Sequence, residues 1–289
     1  MFNLSVKSNL VSPQSFETFY RIQISYNSVA GPQTPNLSLN TVSHIHFVQR
    51  IQNNSLYNTT VLLSANGGTK NEENRSALEK ILILSDIMTK MSIKRNLNGK
   101  IEKLLNPDEI KKSWNLWKEK NLTEYMRKLI EQENFIEDLE SSLIYLEGNF
   151  KKEIQYIALF PECYSFKSNN LQSTNYTSQY IFNSHLINEL VLKYKLYPVF
   201  IKDYGNIIHV KLKSIIANLS DVGSIINEID SLPDYKYKFE ILADYKFDKK
   251  TGRIITSEVV LSEFINNEIQ YTSKVEIKED KKIVNKIYS

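Results

Sequence analysis

The alternation of apolar and polar residues between positions 235 and 278 constrains the fold of this chain more than any other feature. Apolar side chains recur at every second residue from Tyr237 to Phe247, and Lys, Glu and Asp take most of the positions between them. Successive side chains of a strand point to opposite faces, so this pattern predicts strands with one buried and one solvated face. Short polar breaks at residues 249–252 and 266–267 predict turns. We therefore expect a three-stranded antiparallel meander.

The same period of two predicts strands in both halves of the chain. In the first half, strands are expected at residues 17–29, 38–52 and 57–65, with Asn66-Gly67-Gly68 ending the third. In the second half, they are expected at residues 154–160, 176–182, 190–200 and 207–216, followed by a short helix at 220–229. The polar segment from 167 to 177 is predicted to be a loop.

Three helices are predicted between the two sets of strands. A broad apolar stripe indicates a helix over residues 75–91. The pair Asn98-Gly99 favours a hairpin turn, and Asn106-Pro107 followed by two acids is typical of a helix start, here for residues 107–121. Leucines near heptad spacing predict a longer helix over 124–147, with Gly148 at its end. The last two helices would form a long helical hairpin.

These elements predict an α+β fold made of two antiparallel β-meander subdomains, the first of which carries the three helices. A chain of 289 residues lies near the size at which a single core gives way to two. We place the boundary near residue 150. On this prediction, residues 1–150 would form the N-terminal α+β subdomain, and residues 151–289 would form a mainly antiparallel β subdomain that ends in the meander 235–278.

Composition argues against several classes of function. The 36 basic and 33 acidic side chains nearly cancel and are mixed along the chain, so we expect no nucleic-acid partner. No apolar run is long enough for a membrane span, and residues 1–14 carry polar residues throughout, unlike a signal peptide. Together these observations predict a cytoplasmic protein. Abundant Lys, Asn, Ile and Tyr with few Gly and Pro indicate an AT-rich, bacterial genome. No phosphate-binding glycine loop, nucleophile elbow or zinc-protease helix is present. We therefore predict no cofactor and favour a protein that is not an enzyme.

Two sets of residues could carry chemistry. His44 and His46 point to one face of a strand, as metal-binding pairs do, although a metal needs further ligands and a solvated face gives the same pattern. Cys163 is the only cysteine and could be a nucleophile beside His185 or His209, although lone cysteines are commonly small buried hydrophobes.

The preferred functional prediction is a non-catalytic scaffold that binds another protein, such as an adaptor, a chaperone or an immunity-type inhibitor. The 17 tyrosines favour it, because tyrosine is enriched at interfaces. Its candidate binding residues are Trp114, Trp117, Arg50, Tyr176 and Tyr180. The alternative is a carrier of a small apolar ligand or lipid, held in a cavity between sheet and helices. A third hypothesis is a metal-dependent enzyme that uses the pair His44 and His46.

Overall fold

A computed structural model describes residues 10–29, 36–71, 74–121, 140, 148, 153–166, 176–187, 190–218, 236–266 and 269–280 of the protein. These contain eleven strands and three helices. The strands are β1 (Phe16–Val29), β2 (Leu37–Gln52), β3 (Ser55–Thr69), β4 (Lys90–Asn96), β5 (Ile101–Leu104), β6 (Tyr180–Asn183), β7 (Val191–Asp203), β8 (Ile207–Ile216), β9 (Tyr237–Asp248), β10 (Ile254–Ile265) and β11 (Ile269–Glu279). The helices are α1 (Arg75–Ile87), α2 (Pro107–Asn121) and α3 (Ile154–Leu159).

All eleven strands belong to one antiparallel sheet, in the order β5-β4-β3-β2-β1-β11-β10-β9-β8-β7-β6. The two halves of the chain join at its centre, where β1 pairs with β11 from Tyr20 opposite Glu279 to Val29 opposite Gln270. The predicted fold class of two separate β-meander subdomains is therefore wrong. The period of two identifies the buried face of a strand but not its partner, and two meanders can unite along their edges. The boundary placed near residue 150 stays a prediction.

The two faces of the sheet differ sharply in polarity. On one face, tightly packed apolar side chains such as Tyr20, Val275 and Tyr245 have no exposed surface. The opposite face carries ion pairs, including Lys274 with Glu258 at 2.9 Å and Lys213 with Glu240 at 2.7 Å. The alternation read from the sequence thus corresponds to one covered face and one solvated face.

Helix α3 occupies the region in which the sequence predicted a strand at residues 154–160. Five of its six residues are buried, and it packs across β10 and β11. The hydroxyl of Tyr245, in the neighbouring strand β9, donates a hydrogen bond to the carbonyl of Ile157 at 2.9 Å. A short apolar run buried on all sides has no period that separates helix from strand. The strand prediction was wrong for this reason.

Strand β3 continues through Asn66-Gly67-Gly68, where the sequence predicted its end. A Cβ atom on Gly67 would lie 2.4 Å from the Cδ1 atom of Leu78 in α1 and 3.3 Å from the backbone oxygen of Asn40. This glycine therefore allows close packing of α1 on the strand instead of breaking the strand.

The helices differ in part from their predicted bounds. Helix α1 ends at Ile87, because Lys90 already begins β4, whereas α2 spans the predicted residues 107–121. The turn Asn98-Gly99 forms, with Gly99 at a φ of 99°. The predicted helix over 124–147 lies outside the described residues except for Glu140, which is helical, as is Gly148. Residues 220–229 also lie outside them. In the part of the chain described, the helices have only 13, 15 and 6 residues, so the fold is dominated by the sheet.

Candidate ligand-binding cavity

A cavity of about 400 Å³ lies between the covered face of the sheet and helices α1 and α3, and we call it the sheet–helix cavity. Strands β1 to β4 form its floor, α1 forms one wall, and α3 with the residue before it forms another. Its lining is mainly apolar and comprises Ile22, Ile24, Tyr26, Thr41, Ser43, Ile45, Thr60, Leu62, Ile81, Leu84, Ser85, Met88, Met91, Glu153, Gln155, Tyr156 and Leu159.

The space arises where small side chains of the sheet face a broad apolar stripe on α1. Thr41 and Ser43 occupy buried-face positions of β2, and Ser43 pairs with Ile22 of β1. On the helix side, Leu84 and Met88 remain only half-buried. The side chains of α1 do not fill the space above the short side chains of β2. An unfilled volume lined by apolar atoms therefore remains between helix and sheet.

A few polar groups interrupt this apolar lining at the end formed by α3. Tyr26, Tyr156 and the exposed Glu153 lie there. Burial raises the pKa of both Tyr26 and Tyr156, and the nearby carboxylate of Glu153 raises it further. Both phenols therefore stay neutral at physiological pH and can act as hydrogen-bond donors.

A smaller cavity of about 150 Å³, the side pocket, adjoins this polar end and shares Tyr26 and Glu153 with it. The ring of His185 lies 4.0 Å from that of Tyr271, both of which line the pocket. Burial lowers the pKa of His185, and the carboxylate of Glu263 partly opposes this. His185 is therefore neutral at pH 7.

Glu263 fixes the segment that carries His185 and has no exposed surface itself. Its carboxylate accepts hydrogen bonds from the hydroxyl of Ser184, from the backbone N–H of His185 at 3.0 Å and from the hydroxyl of Tyr237 at 2.7 Å. A buried carboxylate with several donors is a stable structural anchor. Glu263 thus positions one wall of the side pocket.

A hollow of about 530 Å³ lies at the ends of β1, β2 and β3 and is larger than either cavity. Seven of the eleven residues that line it are polar, including Ser25, Asn27, Asn40 and Asn66, whereas Ile, Leu and Met make up more than half of the residues that line the sheet–helix cavity. Because small-molecule sites are mostly apolar with a few polar groups, the sheet–helix cavity is the better candidate despite its smaller volume.

The predicted metal pair lies on the solvated face, and each histidine has its own carboxylate partner. The Nδ1 atom of His44 is 3.0 Å from Asp280, and the Nε2 atom of His46 is 2.8 Å from Glu17. Arg50 approaches the same Glu17 at 3.6 Å. Over the described ranges, no group of three or more His, Cys, Asp or Glu side chains lies close enough to hold a metal ion.

The predicted protein-binding residues are dispersed over the fold. Trp114 is only 2% exposed and stacks on Trp117 with ring centres 5.6 Å apart. Its indole N–H donates to Glu140 at 3.2 Å. Tyr176 is exposed, whereas Tyr180 is buried against Tyr194 with ring centres 5.5 Å apart. The structure does not bring these residues together with Arg50 into one patch.

Cys163 is buried, and burial raises the pKa of its thiol well above the ordinary value. The nearby guanidinium of Arg95 opposes that shift but does not outweigh it. His209 hydrogen-bonds Asp244 at 2.7 Å on the solvated face. A thiol held neutral in this way lacks the thiolate character of a nucleophile. Most of the predicted loop at 167–177 lies outside the described residues.

The sequence-based reasoning missed every residue of the sheet–helix cavity as a site residue. One signal could have indicated it: Thr41 and Ser43 are small and polar at positions where β2 should present large apolar side chains. The place of Glu153 in the lining had no comparable signal, because it follows from the position of α3.

Comparisons with known proteins give no family. No protein-family model matches the sequence, and no curated protein matches it. Among solved structures, one titled "Lipid-protein interactions in lipovitellin" is similar at a TM-score of 0.46 and 9% identity, and covers 93% of this chain but only 25% of the lipovitellin chain. DynF from the dynemicin biosynthesis pathway of Micromonospora chersina is similar at a TM-score of 0.22 and 7% identity, over 96% of this chain and 86% of DynF. At these TM-scores, neither similarity indicates the fold family or the function of this chain.

Proposed function

We propose that this protein is a carrier of an apolar ligand, which it holds in the sheet–helix cavity. The observation that carries the proposal is the cavity itself: about 400 Å³ of space, lined mainly by Ile, Leu and Met side chains from the sheet and α1. Ligand sites in proteins commonly measure roughly 300 to 1,000 Å³ and combine an apolar lining with a few polar groups.

The apolar lining sets the chemistry of the ligand. Each methylene group that leaves water contributes about 0.8 kcal/mol, so a chain of about ten carbons gains about 8 kcal/mol before the cost of immobilising it. Short polar metabolites gain far less. We therefore expect a ligand with an acyl or alkyl chain, or a ring system of similar size.

The protein-binding scaffold becomes the second candidate function. It needs an accessible anchor, and of its two predicted tryptophan anchors, Trp114 is only 2% exposed and Trp117 is half-buried. Tyr176 and Arg50 are exposed but do not form a patch with them. A carrier can also meet a partner that delivers or receives its ligand, so capture of a partner by itself does not distinguish the two functions.

Two features of the setting stay predictions. Among the helices that the structure describes, none is long and apolar enough to cross a membrane. The cytoplasmic location and the bacterial origin inferred from the sequence belong to this proposal.

Native mass spectrometry and probe binding test the carrier function. We expect the purified protein to retain a co-purifying apolar molecule, and the ligand-stripped protein to bind the neutral fluorescent dye Nile red. Ser85→Phe directs a ring into the cavity from α1, where Ser85 is half-buried. This variant should weaken Nile red binding by at least about tenfold, because the dye would lose about 1.4 kcal/mol or more of buried contact.

Asn115→Phe is the matched control, because Asn115 is an exposed position of α2 outside the cavity lining. Circular dichroism should show that both variants are folded. Equal Nile red affinity in the two variants, or a wild-type protein that neither retains an apolar molecule nor binds the dye, would refute the carrier function.

A further inference from the structure

We propose that the ligand of the sheet–helix cavity carries a hydroxyl group as its polar end, and that this hydroxyl binds between the side chains of Tyr26 and Ser273. The inference rests on the proposed carrier function and specifies the class of ligand, an uncharged amphiphile of the long-chain alcohol type. Its apolar chain would occupy the sheet–helix cavity, and its hydroxyl would lie where that cavity meets the side pocket.

The first argument is the position of the two residues in the sheet. Tyr26 of β1 is directly opposite Ser273 of β11, and the Cβ atoms of such opposite residues are about 4.5 to 5.5 Å apart. Tyr26 lines both cavities, and Ser273 lines the side pocket. The pair therefore lies at the junction where the apolar cavity meets the side pocket.

The second argument is the unsatisfied hydroxyl of Ser273. Ser273 is only 2% exposed, and its hydroxyl has no hydrogen-bond partner, although the phenol of Tyr271 lies nearby. A buried hydroxyl that bonds to nothing costs free energy, and the large majority of buried polar groups in native proteins do have a partner. Because this hydroxyl belongs to the lining of a cavity, a ligand in the side pocket would supply the missing hydrogen bond.

The third argument is the hydrogen-bonding capacity of the pair. Burial and the nearby carboxylate of Glu153 raise the pKa of Tyr26, so its phenol stays protonated and can donate a hydrogen bond. The hydroxyl of Ser273 can both donate and accept. A ligand hydroxyl also does both, so it can accept a hydrogen bond from Tyr26 and donate one to Ser273 at the same time.

The fourth argument is that the linings favour an uncharged and compact head group. Of the described residues that line the two cavities, none is Lys or Arg, and His185 is neutral because burial lowers its pKa. A carboxylate or phosphate would lose its hydration there without a cation to replace it. The side pocket measures about 150 Å³, which is less than the roughly 300 Å³ of a small complete ligand site and suits a head group of a few atoms.

The test compares four ligands of similar chain length: 1-decanol, 1-chlorodecane, decanoate and decyltrimethylammonium. Displacement of Nile red from the ligand-stripped protein at pH 7, below the micelle concentrations, measures their affinities. We expect decanol to bind more tightly than either charged ligand, because the linings are suited to an uncharged head group. Chlorodecane has no hydroxyl, so it reports burial of the chain alone.

The variant Ser273→Ala removes the buried hydroxyl with little change in volume. It should weaken binding of decanol about fivefold and keep the affinity for chlorodecane within about twofold of wild type, since only decanol loses a hydrogen bond. Ser257→Ala is the matched control. Ser257 is also buried on the covered face with no hydrogen-bond partner, but it lines neither cavity, so its loss should change neither affinity.

The variant Tyr26→Phe tests the second hydroxyl in the same assay. We again expect a loss of about fivefold for decanol and of less than about twofold for chlorodecane. Tyr20→Phe is its control, because Tyr20 lies on the same strand, has a buried phenol with no hydrogen-bond partner and lines neither cavity.

Urea unfolding of the ligand-stripped variants gives a readout that does not depend on binding. Ser273→Ala should not lower the midpoint, because the hydroxyl that it removes has no hydrogen bond to lose in the empty protein. A lower midpoint or a failure to fold for Ser273→Ala, with Ser257→Ala unaffected, would show that the hydroxyl already has a partner. The hydroxyl site would then be refuted.

The binding outcomes separate this inference from the carrier function. If Ser273→Ala changes the affinities for decanol and chlorodecane equally, or if a charged ligand binds more tightly than decanol, the hydroxyl site is refuted and the carrier function stands. The same holds if Nile red binds but none of the four ligands displaces it. If the wild-type protein binds neither Nile red nor any of the four ligands, both are refuted.

Discussion

Filling the sheet–helix cavity should stabilise the protein, and Ser43→Leu is the substitution that tests this. Ser43 lies on the covered face of β2, is half-buried, and lines the cavity between Ile22 of β1 and Ala65 of β3. Leucine replaces the hydroxyl with three carbons. At about 0.8 kcal/mol per carbon they contribute about 2.4 kcal/mol, and ordering the side chain costs about 0.5 to 1 kcal/mol. We expect the free energy of unfolding to rise by about 1 to 2 kcal/mol.

The measurement is urea unfolding of the ligand-stripped protein, with the free energy of unfolding taken from the midpoint and slope. Ser257→Leu is the matched control. Ser257 lies on the covered face of β10, is only 3% exposed and lines neither cavity. The same added volume must there displace packed neighbours, which costs about 1 to 3 kcal/mol.

The sign of the change decides the outcome. If Ser43→Leu destabilises the protein as much as Ser257→Leu does, the space beneath α1 is not available to a side chain or a ligand, and the reasoning fails. Nile red affinity should fall in the stabilised Ser43→Leu variant, because the leucine occupies volume that the dye needs.

Three further predictions concern residues that hold the fold together. Gly99→Ala should lower the free energy of unfolding by about 3 kcal/mol, because its φ is 99° and a Cβ would lie 2.1 Å from the carbonyl oxygen of Pro161. Gly205→Ala, also at positive φ but with open space around it, should cost roughly 1 kcal/mol, and urea unfolding compares the two. Glu263→Gln should cost about 2 kcal/mol in the same assay, because a buried charged acceptor of three hydrogen bonds becomes neutral. Cys163 should react with a thiol reagent at pH 8 only after denaturation, since burial both shields the thiol and raises its pKa.

Each of these predictions has an opposing result. Equal costs for the two alanine substitutions would show that the approach of Pro161 to Gly99 does not matter. A neutral Glu263→Gln would mean that the carboxylate charge adds nothing to its hydrogen bonds. Rapid labelling of Cys163 in the native protein would contradict its burial.

Strand positions were predictable where one face is buried and the other is solvated. The predicted strand at residues 207–216 coincides with β8, and the three terminal strands differ from β9, β10 and β11 by a few residues at their ends. Partners were not predictable in the same way. The pairing of Ile24 with Val275 joins residues at opposite ends of the sheet-forming chain, and no local pattern encodes that choice.

The cavity depends on information that a single sequence expresses only indirectly. Helix α1 was predictable from its apolar stripe, but its distance from the sheet was not. That distance depends on the close contact of Leu78 with Gly67, and the cavity depends on the short side chain of Ser43. Glu153 acquires its place from α3, a short apolar run that the sequence analysis predicted to be a strand. Small differences in packing, rather than residue types, thus create the candidate site.

The pairing of β1 with β11 also sets the order in which the protein can be completed during synthesis. The partner of Tyr20 is Glu279, so this edge of β1 cannot pair until residue 279 has left the ribosome. Until then its backbone N–H and C=O groups form an open sheet edge, which is a template for pairing with other chains. Contacts this distant in sequence also slow folding. The first half of the sheet carries most of the cavity floor. We therefore expect this protein to be most exposed to misassembly while that half has been synthesised and β11 has not.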